Sequence, residues 1–239
     1  MGVERTHVGL APDGRWVSVT CVSETMQEDW QWGFRLTSRT MAVGVTVARA
    51  DFLDFLIEDG GLRQVQQVTY RGQSLTLYYD RADENWVAGL RSTHHSLTIA
   101  GTIPPKDSET KAPTLKAIVA LLDQLVVKDV PQGLTLDPHP GSGITMWAIT
   151  GQKVTDAGPI TLYRRAEATG LLSTEPGLAV QGGEVWKKTL GGEDGGLGRK
   201  YVHAGETAVC MIDDDLGVLP WVTKAGQEQL LTTLKVSWG

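Results

Sequence analysis

Short runs rich in Val, Thr, Ile and Tyr recur along this chain, each ended by Gly, Asp or Pro, and few stretches interrupt them with helical spacing. Such runs read as strands, because branched and aromatic side chains suit a pleated surface and the punctuating residues suit turns. In the first half they cover residues 16–22, 41–47, 62–70, 74–79, 85–91 and 96–103. Within residues 74–79, Leu75, Leu77 and Tyr79 fall on one face and Ser74, Thr76 and Tyr78 on the other. That alternation predicts a half-buried antiparallel strand.

Two stretches of this half carry helical spacing. Phe52, Phe55 and Leu56 do so over residues 50–57, which stop at Gly60-Gly61. The clearer case is 114–126, where Leu115, Ile118, Val119, Leu122 and Leu125 form one stripe entered through Pro113. Residues 128–143 are then rich in Pro and Gly and read as a linker. The second half repeats the plan, with strands at 144–150, 160–164, 184–190, 198–203 and 207–212 and a helix over 223–234 whose apolar face is Leu230, Leu231 and Leu234. A shift of 109 positions carries Thr114 onto Thr223, Leu122 onto Leu231, Leu125 onto Leu234 and Val127 onto Val236. The fold expected is therefore α+β: two similar modules, 1–130 and 131–239, each a twisted antiparallel sheet with a packed C-terminal helix. The Leu115 and Leu230 stripes should each cover the β-layer of their own module.

The order of these elements, with Ser96-Leu97-Thr98-Ile99-Ala100-Gly101, a loop, and a helix ending in Leu121-Leu122-Asp123-Gln124-Leu125-Val126-Val127, resembles the PsbP/Mog1/DcrB superfamily of α/β/α sandwiches. The segment from Cys210-Met211-Ile212 to Trp238 resembles the same ending. The resemblance rests on element order and about 35 residues per module, and the N-terminal export or lipoprotein signal common in bacterial members is expected to be missing here. It implies a non-catalytic role as an assembly factor, partner-binding module, immunity protein or secretion accessory. It carries over no active-site residue.

Charge narrows the function further. The 239 residues hold 22 Lys and Arg against 28 Asp and Glu, a net charge of −6. No basic stripe exists to displace counterions from a phosphate backbone, which argues against nucleic-acid binding. No apolar run is long enough for a membrane span and the first 22 residues contain no apolar signal core, so the expectation is a soluble, cytoplasmic chain without a membrane partner. Cys21 and Cys210 sit on apolar strand-like runs without metal-ligand spacing and read as buried free thiols, which fits a reducing compartment.

Little catalytic chemistry is visible. His94 and His95 would point to opposite faces of a strand, and no HxH, HExxH or CxxC motif occurs, so no metal site or cofactor is expected. Residues 191–198 are glycine-rich, but Glu193 and Asp194 would repel phosphate, so a hairpin loop able to enter a partner's cleft is the better reading. Asp213, Asp214 and Asp215 form either a solvated acidic turn or a patch that meets a basic partner. Trp30 and Trp32 bracket Gln31 and share a face at strand spacing; they either anchor a partner or cover the sheet. Trp86, Trp147 and Trp186 are assigned to the cores.

The sequence thus leans away from an enzyme and names no catalytic residue. It favours a non-catalytic protein that binds a cognate, basic protein through Trp30, Trp32, Glu193, Asp194, Asp213, Asp214 and Asp215. The alternative is a small-ligand binder or enzyme using the groove between the two modules.

Overall fold

A computed structural model of the chain describes residues 2–23, 26, 27, 29–102, 112–191, 197–213 and 219–239. The first half runs β1 (Val3–Leu10), β2 (Trp16–Ser23), β3 (Gln31–Thr37), β4 (Ala42–Arg49), α1 (Phe52–Asp59), β5 (Arg63–Tyr70), β6 (Gln73–Tyr79), β7 (Asn85–Arg91), β8 (His95–Thr102) and α2 (Leu115–Leu122). The second runs β9 (Leu125–Val130), β10 (Gly133–Pro138), β11 (Thr145–Thr155), β12 (Gly158–Arg164), two short 3-10 turns (Arg165–Glu167 and Thr169–Leu171), β13 (Leu178–Val180), β14 (Gly183–Gly191), β15 (Leu197–Ala204), β16 (Ala208–Asp213), α3 (Lys224–Thr233) and β17 (Lys235–Trp238).

The α+β expectation is corrected by this inventory. Strands hold 56% of the structure and helices 15%, there are three α-helices among the described residues, and twelve of the strands belong to one antiparallel sheet. The physical reason lies in segments whose polarity hid their pairing. Residues 128–143 are no linker: Val130 pairs with Gly133, closing β9 onto β10 around Pro131 and Gln132, so the expected boundary at 130/131 falls inside a hairpin. Leu134, Thr135 and Leu136 of β10 are all buried, so this strand never shows the alternation that marks a half-exposed one.

Two compact units result. The first comprises Met1–Leu10, Arg15–Trp30 and Thr150–Gly239; the second comprises Ala11–Gly14 and Gln31–Ile149. In the second unit the strand order is β3-β4-β8-β7-β6-β5. Register partners across it alternate in character: Trp32, Val47, Leu97, Leu90, Leu75 and Val68 form an apolar row, and Gly33, Thr46, Thr98, Gly89, Thr76 and Gln67 a polar one on the opposite face. Helix α2 buries Leu115, Ile118, Leu121 and Leu122 and lies against β5 and β9. Leu53 of α1 seats over Gly89, where a side chain at 89 would collide with it.

In the first unit the order is β11-β12-β16-β15-β14-β13, and a separate sheet β1-β2-β17 accompanies it. Counted from β3 and from β11, the two six-strand orders are the same. Thr114 and Thr223, related by the 109-residue shift, also do the same work: each side-chain oxygen accepts the amide three residues on, from Ala117 and from Gly226 respectively, capping its helix. Helix α3 nevertheless covers β2 and β13. Strand β2 comes from near the start of the chain, so the expectation that the Leu230 stripe covers only a layer of its own module does not hold. Among the described residues no helix is long and apolar enough to cross a membrane.

Candidate functional site

The residues singled out from sequence separate on the structure. Trp30 is 7% and Trp32 1% exposed, and they belong to different units, so neither is a free anchor. The reason is specific for Trp30: the Lys153 ammonium lies 4.6 Å from its ring centroid while donating to the Gln27 carbonyl at 2.6 Å and the Asp29 carbonyl at 3.4 Å. This buried lysine and its indole enclose one another. Asp213 pairs with Lys200 at 2.6 Å, and its carbonyl accepts from the Gln227 amide. Glu193, Asp194, Asp214 and Asp215 lie outside the described residues. Trp86 is buried as expected, but Trp147 is 49% exposed, its Nε1 donating to Thr37 Oγ1 at 2.9 Å.

The histidine pair has a different role from the one its alternation suggests. The Asp129 carboxylate accepts the His94 backbone amide and His95 Nδ1, both at 2.7 Å. Burial acts to raise the Asp129 pKa and is the largest single influence, yet the bonds donated by the His94 amide, His95 and Ser92 together hold it below the ordinary carboxylate range. Asp129 thereby clamps the β7–β8 turn to β9. Its side chain is 8% exposed, and Asp129→Ala should lower the unfolding free energy by about 2 kcal/mol, the worth of hydrogen bonds to a charged group, read as a reduced urea midpoint. This contribution is present above the ordinary aspartate pKa and fades as pH falls through the lower folded value.

The groups best suited to nucleophilic or base chemistry in the first unit are enclosed. Burial pushes the Cys21 thiol up to about 12, with Asp156 adding to it, and raises Cys210 as well. A thiol held in that form is a poor nucleophile. His203, the register partner of Cys210, is fully buried. Among the described residues no three His, Cys, Asp or Glu side chains are placed to hold a metal ion.

The first unit does present an open groove. Two adjoining hollows of about 430 and 470 Å³ share Arg165 and Glu206. Gly183, Ala204 and Gly205 make a floor almost free of side chains, and Glu184 and Trp186 from β14 stand at its wall. The Trp186 indole is fixed by its Nε1, which donates to the Glu175 carbonyl at 2.8 Å. It also packs against the apolar cluster of Ala168, Val202, Ala204 and Val209. The cations nearby are committed: Arg165 donates to the Gly205 carbonyl at 2.5 Å, Lys188 to the Leu171 carbonyl at 2.5 Å, and Arg164 pairs with Glu167 at 3.1 Å. Glu184 and Glu206 make no ion pair among the described residues. An oriented indole with two uncommitted carboxylates can receive an ammonium or guanidinium through cation–π and charge-assisted contacts. No sequence motif marks this site, because Arg165, Glu184, Trp186 and Glu206 converge from three separate stretches.

Compared with family models, curated proteins and solved structures, the chain finds no match in any of the three.

Proposed function

We propose that this chain is a non-catalytic binding protein whose first-unit groove receives a basic side chain of a cognate protein. The observation that carries the reading is the Trp186 indole, held in place by Glu175, beside Glu184 and Glu206 over a glycine-rich floor. The net charge of −6 supports it, since an acidic surface speeds encounter with a basic partner. The enclosure of Cys21, Cys210 and His203 supports the non-catalytic part, because these groups cannot meet a substrate at the surface. An immunity or secretion-accessory role, as the PsbP/Mog1/DcrB resemblance implies, and a cytoplasmic site of action with reduced thiols belong to the same proposal.

A direct test titrates the full chain with an oligo-arginine peptide and with its uncharged citrulline counterpart, following the Trp186 indole signal by NMR. The arginine peptide should shift that signal, more strongly at low salt, and the citrulline peptide should not. Replacing both Glu184 and Glu206 by Gln should weaken the effect about tenfold, in line with loss of charge-assisted contacts. Equal response to both peptides, or none, overturns the proposal.

A further inference from the structure

The second unit holds a cavity of a different chemistry. It measures about 280 Å³ and opens on the polar face of the sheet, beneath Leu53 of α1. Gln64, Gln67, Ser74, Thr76 and Tyr78 converge on it. Their convergence depends on an irregularity in the edge strand β5. Gln64 pairs with Tyr78, Gln66 with Leu77 and Gln67 with Thr76, so Val65 is an extra residue in the ladder. A regular strand sends residues three apart to opposite faces. The bulge at Val65 reverses that and aims both glutamine amides into the hollow.

These groups are already linked into a chain of neutral hydrogen bonds. Gln64 Nε2 donates to Gln67 Oε1 at 3.2 Å, Gln67 Nε2 donates to Ser74 Oγ at 2.8 Å, and the Ser74 and Thr76 hydroxyls lie 3.2 Å apart. Each carboxamide keeps a further N–H and acceptor capacity beyond these bonds. Arg91 is the sole charged residue at the lining, and Asp54 of α1 neutralises it. Ions therefore find no uncompensated opposite charge. A single carboxamide side chain would engage a few of the converging groups, whereas a ring bearing several hydroxyls, each both donor and acceptor, engages most of them while laying a C–H face against Leu53. Gly89, in register between Thr76 and Thr98, lets Leu53 of α1 come down close onto the sheet and supply the apolar side of the hollow.

We infer that this cavity binds one neutral sugar unit, a monosaccharide or the terminal residue of a glycan. The site is separate from the groove of the proposed function and does not rest on it. Titrating the full chain with neutral methyl glycosides should shift the side-chain amide signals of Gln64 and Gln67, saturating at millimolar concentration as expected for a shallow pocket. Gln67→Ala, at an exposed position, should weaken binding about tenfold by removing a partner from a hydroxyl-recognising site. The arginine-peptide response at Trp186 should remain, so failure here is distinguishable from failure of the groove. A glycan array distinguishes the two sources: tighter binding of extended glycans assigns the terminal residue, and equal binding the free sugar. No amide shift with any glycoside, or a shift only with glutamine-containing peptides, overturns the inference.

Discussion

Bringing the protein from neutral pH down to about 4 is expected to cost the fold about 3 kcal/mol through His203 alone. The imidazole sits on β15 between Val185 and Cys210, wholly out of solvent, and neither ring nitrogen makes a hydrogen bond of good geometry. Burial lowers its pKa from 6.5 to about 4, against a weak opposing pull from the carbonyls at His203 and Leu234. Between these two values the unfolded chain takes up a proton that the folded one refuses. Stability is therefore complete above about 6.5 and drains as pH falls toward 4. Cys210 and Cys21 stay protonated throughout this window, since burial raises both. The measurement is urea unfolding at a series of pH values. His203→Phe should flatten the curve between pH 6.5 and 4 and leave the Asp129-dependent loss at lower pH intact. An unchanged slope in that variant would show that the acid sensitivity lies elsewhere.

Gly183→Ala should destabilise the protein by at least about 3 kcal/mol, through a strained backbone and an overlap together. Gly183 has φ +148°, a conformation suited to glycine, and a Cβ built there would stand 1.9 Å from the Ala204 carbonyl oxygen. That oxygen belongs to the β14–β15 ladder, where Glu184 pairs with Ala204, so it cannot swing aside as a long side chain would. The same substitution at Gly170, which has open space around it, is the control and should be nearly neutral. Because Gly183 and Ala204 floor the groove, the variant should also lose the Trp186 response to the arginine peptide. Equal stability for the two variants would contradict the close approach described for β14 and β15.

What could be read from sequence depended on whether an element announced itself over a single stretch. The stripe Leu115, Ile118 and Leu122 repeats at helical spacing, and these residues are buried in α2. The alternation in β6 placed Leu75 and Leu77 inside, but Thr76 and Tyr78 are buried too, on the face where Leu53 of α1 stands over Gly89. β1 escaped notice because Glu4, Arg5 and Thr6 are exposed and no apolar face emerges. The Val65 bulge escaped because Gln-Val-Gln-Gln contains no glycine to advertise an irregular strand. Trp30 and Trp32 looked like a shared aromatic face, yet Lys153, more than a hundred residues on, decides the fate of one and Val47 of the other. The groove was illegible for the same reason: Glu184 and Glu206 meet only after β14 and β15 have paired.

The pairing of β17 with β2, which brings Ser237 Oγ to 2.7 Å from Ser18 Oγ, bears on how the molecule is made. A ribosome releases the segments of the second unit in nearly unbroken succession, so that unit can close while synthesis continues. β2 has one flank zipped to β1 almost at once, but its other flank must wait until residues 235–238 emerge. During that interval the nascent chain carries an open ladder edge of the kind other chains can capture. Premature termination shortly before Lys235 would make the vulnerable interval permanent.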